Sequence, residues 1–228
     1  MSNLSDFISA GGGELRYQEF TSSGTFTPSS RLIANGGQCF VTALAGGGSG
    51  GATRLPSTTN LSQACGGDAG QLVEGMVTVS GATTVTIGAG GASVATTGTS
   101  NFNTNGNDGA DTTFGALLTA KGGKGGVAFD SSATHSARGG DGVGSQGQYV
   151  TDTTTTLSAR GGAGKNGKGG GGGGAATYGV SHMTATDGGG AGAVATSGNV
   201  SASNATANSG AGGGGVTLGL AVASSQTV

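Results

Sequence analysis

The chain has no tryptophan, two prolines, two cysteines, 4% aromatic residues and 9% charged residues. Each shortage closes a class of protein. Without proline, a collagen-like triple helix is excluded. Cys39 and Cys65 come with no export signal and read as free thiols rather than a structural disulfide. No stretch approaches the ~20 consecutive apolar residues of a membrane span. The opening, Met1-Ser2-Asn3-Leu4-Ser5-Asp6-Phe7-Ile8, lacks the basic start and apolar run of a signal peptide. A pI near 5.5 argues against nucleic acid as a partner, which would demand a basic footprint. Large apolar side chains are too scarce for an ordinary core. The formal net charge of -2 is in turn too small for a solvated coil.

What the chain has instead is glycine, 54 of 228 residues, embedded in Ala, Ser, Thr and Asn. The first third alternates glycine tracts with β-type segments. Leu15 to Phe20 and Gly24 to Thr27 flank Thr21-Ser22-Ser23 as a hairpin would. Gln38 to Leu44 is a strand running directly into Gly46-Gly47-Gly48-Ser49-Gly50-Gly51. Gln71 to Val79 and Thr83 to Ile87 form a second expected pair around Ser80-Gly81-Ala82. Val77, Val79, Val85 and Ile87 fall at period 2, so each pair can bury one face. Helix signals are weak, the best being Asn3 to Ser9.

From about residue 112 a repeat takes over. Thr119-Ala120-Lys121-Gly122-Gly123-Lys124-Gly125 is echoed by Ser136-Ala137-Arg138-Gly139-Gly140-Asp141-Gly142 and by Ser158-Ala159-Arg160-Gly161-Gly162-Ala163-Gly164. Ala64-Cys65-Gly66-Gly67-Asp68 is a partial copy. Glycine is badly suited to helix and strand interiors. It suits the extended left-handed helix of three residues per turn, which has no internal hydrogen bonds. Its buried N–H and C=O groups then need partners on neighbouring rods, and only glycine lets the backbones approach. That period is written into Gly161, Gly164, Gly167, Gly170 and Gly173, and into Gly48/Gly51 and Gly122/Gly125. Tracts at 46–51, 66–70, 88–91, 122–126, 139–144, 161–174, 187–192 and 210–215 would supply a bundle of such rods. The expected fold is therefore mainly β with polyglycine II rods and almost no α-helix. Three divisions follow: an N-terminal attachment segment over 1–14, a β-rich glycine-rich domain over 15–111, and a rod bundle with loops over 112–228. The last two can form one continuous unit.

Signals for chemistry are weak. At this glycine content about three GxGxxG matches arise by chance, and the Gly-Lys pairs lack the Ser/Thr of a phosphate loop. His135 and His182 have no Cys or carboxylate at ligand spacing. Asn103 to Asp111 is rich in oxygen ligands, but its glycine is misplaced for a calcium loop and the closing glutamate is missing, so it reads as turn. No nucleophile elbow is visible. The expectation is no enzyme activity, no metal and no cofactor.

In order, Ser23-Gly24-Thr25-Phe26-Thr27-Pro28, Val41 to Gly48, Val85 to Gly91, and Thr113-Phe114-Gly115 followed by Ala120-Lys121-Gly122-Gly123 resemble the glycine-rich domain of bacteriophage tail-fibre and tail-tip proteins. The later tracts are similar in kind to the polyglycine-helix sandwich of adhesins at phage tail-fibre tips. The resemblance implies a virion protein of the tail, made without a signal peptide. It also implies a homotrimer that meets a bacterial surface receptor, glycan or protein, while the pI and the lack of long apolar runs are what argue for no nucleic acid and no membrane insertion. The rods would then present loops, and the loops would choose the receptor. The loops would hold almost all the large side chains of the second half, namely Phe129, His135, Tyr149, Tyr178, His182 and Met183. Each aromatic among them has two readings, as a cap on the bundle end or as a receptor contact. Loop 175–186 gathers Tyr178, His182 and Met183 and is the chosen receptor face. Leu4, Phe7 and Ile8 have little local core to join and read as the attachment to other tail proteins. Two other functions fit the composition: an architectural subunit of fibre or baseplate without receptor contact, and an ice-binding polyglycine bundle.

Overall fold

In the computed structural model of the 228-residue chain, the structure describes residues 16–55, 61–94, 102–131, 175–176, 181–182, 193–195, 210–214 and 216–219. These residues are mainly β, with a single short helix among them, as the composition led one to expect. In chain order they comprise β1 (Gly24–Phe26), α1 (Ser30–Ala34), β2 (Gln38–Leu44), β3 (Ala52–Leu55), β4 (Leu61–Ala64), β5 (Leu72–Thr78), β6 (Thr83–Thr86) and β7 (Phe102–Thr104). There follow β8 (Thr112–Phe114), β9 (Leu118–Ala120), β10 (Ala128–Ser131), β11 (Ala175–Ala176), β12 (Ser181–His182), β13 (Ala193–Ala195) and β14 (Val216–Gly219).

One end of the molecule is built on side chains. A four-stranded antiparallel sheet of order β1-β6-β8-β9 faces the two-stranded sheet β2-β5. Val79, Val85, Phe114, Leu118, Ala43, Ala45 and Ala120 are buried between them, with Phe20, Phe26, Leu32, Cys39, Val41, Val73, Val77 and Ile87 packed around. The period-2 valines read from the sequence all join this core. The Phe26 and Phe114 rings meet at 5.5 Å between centroids, tilted by 56°, the kind of inclined contact that aromatic quadrupoles favour.

The expected pairings differ from those observed. β1 does not pair with residues 16–20, which are not strand; it pairs with β6, Thr25 opposite Thr84. β5 and β6 do not pair with each other across Ser80-Gly81-Ala82. β5 joins β2, with Gln38 opposite Thr78 and Leu44 opposite Leu72, while β6 lies between β1 and β8. The turn carries the chain from one sheet to the other, and both sheets turn their valines to the same core. Helix α1 was not foreseen. The side chain of Ser29 caps it by accepting from the Leu32 N–H at 3.2 Å. Gly36 and Gly37, at φ 91° and 67°, close it by donating to Ile33 and Leu32.

The opposite end is a second pair of sheets, β10-β4-β11-β12 and β13-β14-β3-β7. β4 lies against β3 and β14, and β10 against β3 and β7. Between the two ends run tracts of glycine-rich backbone, outside helix and strand: the first (45–51), second (65–71), third (88–92), fourth (105–111), fifth (121–127) and sixth (210–214). The first joins β2 to β3, the second β4 to β5, the fourth β7 to β8 and the fifth β9 to β10. Strands and tracts are thus continuous, and one chain direction serves both. The tracts expected at 46–51, 66–70, 88–91 and 122–126, and residues 210–214 of the last, belong to this layer. Those expected at 139–144, 161–174 and 187–192 lie outside the described residues.

Candidate functional site

The tract layer is the scaffold on which any site must be held, and its interior is backbone. The first tract lies among the other five. Its N–H groups at Ala45, Gly48 and Gly51 donate to Gln71, Asp68 and Cys65 of the second tract, and those at Gly46 and Ser49 to Ala110 and Asn107 of the fourth. Its carbonyls at Gly46 and Ser49 accept from Gly123 and Gly126 of the fifth, that of Gly47 from Gly91, and that of Gly48 from Gly213. These bonds measure 2.8–3.1 Å. Bonds to the second, fourth and fifth tracts recur every third residue. The recurrence matches the spacing of glycines in the sequence, and burial follows it: Ala120, Gly123 and Gly126 are buried while Lys121 and Lys124 are exposed.

Glycine is required here by proximity. A Cβ on Gly48 would sit 2.1 Å from the Lys124 carbonyl oxygen, and one on Gly123 2.2 Å from that of Asp68. No side chain can occupy such a position unless backbone moves. The few larger residues inside are small or satisfied. Ser49 Oγ accepts the Asn107 N–H at 2.8 Å. At the junction with the first end, Thr112 Oγ1 accepts from the Gly88 N–H at 2.9 Å and donates to the Leu44 carbonyl at 2.8 Å. Asp68 and Cys65 are wholly buried in the second tract, and both Cys39 and Cys65 are free thiols. Burial pushes the Cys39 thiol pKa up.

Residues 103–111 are not a turn. Asn103 and Thr104 belong to β7, and 105–111 is the fourth tract. Its Asn105, Asp108 and Asp111 repeat at threes, as do Gly106 and Gly109, and that spacing was the overlooked signal. Asn105 Oδ1 accepts from the Ala128 N–H at 3.0 Å, Asp108 Oδ1 from Gly125 at 2.9 Å and Asp111 Oδ1 from Gly122 at 2.9 Å. Lys124 Nζ donates to Asp108 Oδ2 at 2.5 Å and Lys121 Nζ to Asp111 Oδ2 at 2.6 Å. The Lys124 hydrogen bond, then that of the Gly125 N–H, holds the Asp108 carboxyl below its ordinary pKa. Lys121 and the Gly122 N–H do the same for Asp111. Asp108 raises Lys124 in return.

Of the residues proposed for receptor contact, Phe129 and His182 have a described backbone, and the fold brings them into one sheet. Phe129 lies in β10 opposite Gln63, and His182 in β12 opposite Ala175; β4 and β11 run between them. The segment read as loop 175–186 therefore contains two paired strands, β11 and β12. Tyr178, Met183, Tyr149 and His135 lie outside the described residues, as do Gly161, Gly164, Gly167, Gly170 and Gly173 and the attachment residues Leu4, Phe7 and Ile8. At the other end, sequence reasoning passed over Phe40 and Met76. They are direct cross-strand partners on the outer face of β2-β5, 64% and 62% exposed. Among the described residues, no group of His, Cys, Asp and Glu is arranged to hold a metal ion, and no helix is long and apolar enough to cross a membrane.

A family profile described as a glycine-rich domain matches residues 21–227. No curated protein matches the chain significantly.

Proposed function

The chain belongs to the glycine-rich domain family, and from that footing we propose that it is a bacteriophage virion protein, a tail-fibre or tail-tip adhesin that assembles as a homotrimer. In this reading the glycine tracts hold a rigid body, and segments at the β4-β11 end meet a glycan or protein on the bacterial surface. Leu4, Phe7 and Ile8 fasten the chain to other tail proteins. The supporting observation is a division of labour in the chain. Within the tracts nearly every added side chain would strike backbone, so this layer cannot vary to suit a receptor. By contrast, the chain between β3 and β4, between β10 and β11, and between β11 and β12 leaves and re-enters at strands of the same pair of sheets. Binding residues concentrate on segments carried by such a scaffold. Tyr178 lies in the last of these segments and His135 and Tyr149 in the second, with Phe129 and His182 in the flanking strands and Met183 following β12.

Fluorescently labelled full-length protein tests this reading. It is expected to bind cells of the phage's host saturably and to compete with virion adsorption. Tyr178→Ala and His182→Ala together are expected to abolish binding while the melting temperature stays put. If antibody against the protein decorates the tail but the labelled protein binds no host cell, the protein is an architectural subunit. If the antibody fails to decorate the virion, the whole reading falls.

A further inference from the structure

An exposed edge of hydrogen-bonding backbone recruits more backbone, and β-proteins therefore blunt their edge strands. The tract layer has the same exposure in another geometry. An outer tract offers N–H groups at every third residue, with no side chain to hold a further backbone away. The fifth tract lies at such an edge. Its Gly123 and Gly126 N–H groups turn inward to the first tract, and its carbonyls at Lys121, Lys124 and Val127 accept from Gln71, Asp68 and Cys65 of the second. A third row of donors remains, at Gly122, Gly125 and, just beyond the tract, Ala128. All three are taken by side chains of the fourth tract, namely Asp111, Asp108 and Asn105, and the two carboxylates are tied back to Lys121 and Lys124.

We propose that this ladder of Asn105, Asp108 and Asp111, clamped by Lys121 and Lys124, closes one side of the bundle against lateral addition of a glycine tract from a second copy of the chain. The register supports it. The side-chain acceptors repeat every third residue, as the backbone acceptors of neighbouring tracts do, so they stand where the carbonyls of an added tract would be. The glycines at Gly122 and Gly125 are themselves set by the fourth tract, since a Cβ on either would strike the Gly109 or Gly106 carbonyl, so what guards the outer side of these donors is the side-chain ladder. Hydration completes the case. The paired Lys and Asp side chains remain 39–62% exposed, and an incoming backbone would have to strip water from them with nothing in return. A chain with a net charge of -2 has little long-range repulsion to keep its copies apart, so the barrier to stacking must be local.

Sedimentation of the full-length chain decides it. The mass of the wild-type assembly is expected to be constant over a wide range of concentration. The folded Asp108→Ala/Asp111→Ala variant is expected to grow with concentration, by about twofold or more in average mass, as each copy adds to another. Asp108→Asn/Asp111→Asn retains the acceptor oxygens and is expected to behave as wild type. If the double alanine variant is unfolded, Asp111→Ala alone is read the same way. A folded alanine variant whose mass stays constant while its melting temperature drops would show that the ladder only stabilises, and the proposal falls. Growth of the asparagine variant would overturn it equally, since the acceptors would then not be what closes the edge.

Discussion

The two-sheet end and the tract layer of this protein are made by one continuous chain, yet they answer to opposite rules about side-chain size. Between β1-β6-β8-β9 and β2-β5, cohesion comes from Val79, Val85, Phe114 and Leu118 filling space, so removing volume is what harms. A few residues further along the same strands, cohesion comes from N–H and C=O groups of bare backbone meeting at 2.8–3.1 Å, so adding volume is what harms. The transition is abrupt. Leu44 ends β2, Ala45 is already hydrogen-bonded to the second tract, and Gly46 has no room for a Cβ. A low content of large apolar residues is therefore compatible with a dense interior, provided that glycine lies on the contact faces.

The sharpest way to break that comparison is to put one methyl group where backbones meet. Gly48→Ala places a Cβ 2.1 Å from the Lys124 carbonyl and parts the first tract from its neighbours. Each stranded buried group costs about 1–3 kcal/mol, and several together exceed much of a typical ~5–15 kcal/mol margin. No cooperative thermal transition is expected for this variant; a melt near that of wild type would show that the tracts yield easily. Next in size is Phe114→Ala, which empties a buried ring position beside Phe26. Destabilisation of about 3–5 kcal/mol is expected, read by chemical denaturation, with the protein still folded in water.

A smaller effect is set by acid. Asp108 and Asp111 are held below the ordinary carboxyl value of 3.8 in the folded chain. Their contribution is therefore complete above that value and is lost as the pH falls through their lower, folded values. Both pairs are substantially exposed, and salt screens them. The melting temperature is expected to drop slightly below about pH 4, and Asp108→Asn/Asp111→Asn is expected to remove that part of the drop. The smallest effect belongs to Gly81→Ala, chemically the same change as Gly48→Ala. Nothing lies within 4 Å of a Cβ there, so stability is expected to stay within about 1 kcal/mol of wild type, on the stabilising side.

Much of this division was legible in the sequence, because both rules write themselves as periods. The span of β2 was read to the residue, and β5 and β6 nearly so, since Val77, Val79, Val85 and Ile87 alternate. Glycines spaced by three marked five of the six described tracts. Partner choice was not legible. A hairpin between β5 and β6 and a crossing between two sheets would bury the same valines, and only the assembled core distinguishes them. The fourth tract was hidden because Asn105, Asp108 and Asp111 look like turn residues until their spacing is set against the N–H groups they serve. Helix α1 is too short to show an apolar stripe.

The repeat was legible in form but not in meaning. Ala64 and Ala120 both end a strand wholly buried, and each is followed by a tract whose second and third residues are Gly-Gly. The first position of the tract holds a buried Cys65 in one case and an exposed, ion-paired Lys121 in the other. The motif therefore marks a strand-to-tract junction and carries no fixed chemistry. For the candidate site, sequence reasoning supplied Phe129 and His182 but had no means of knowing that β4 and β11 would set them in one sheet.

The interior of the tract layer also determines how the molecule responds to temperature. Unfolding an ordinary domain exposes oil to water and raises the heat capacity by ~12–15 cal/mol/K per residue, while exposed polar groups lower it. Unfolding this layer exposes chiefly peptide groups, since its buried residues are Gly, Ala, Ser, Cys and Asp. Calorimetry should find a heat-capacity increment per residue well under the usual value. The stability curve would then be flatter and broader than usual, and the loss on cooling that fading hydrophobic attraction causes would come chiefly from the two-sheet end.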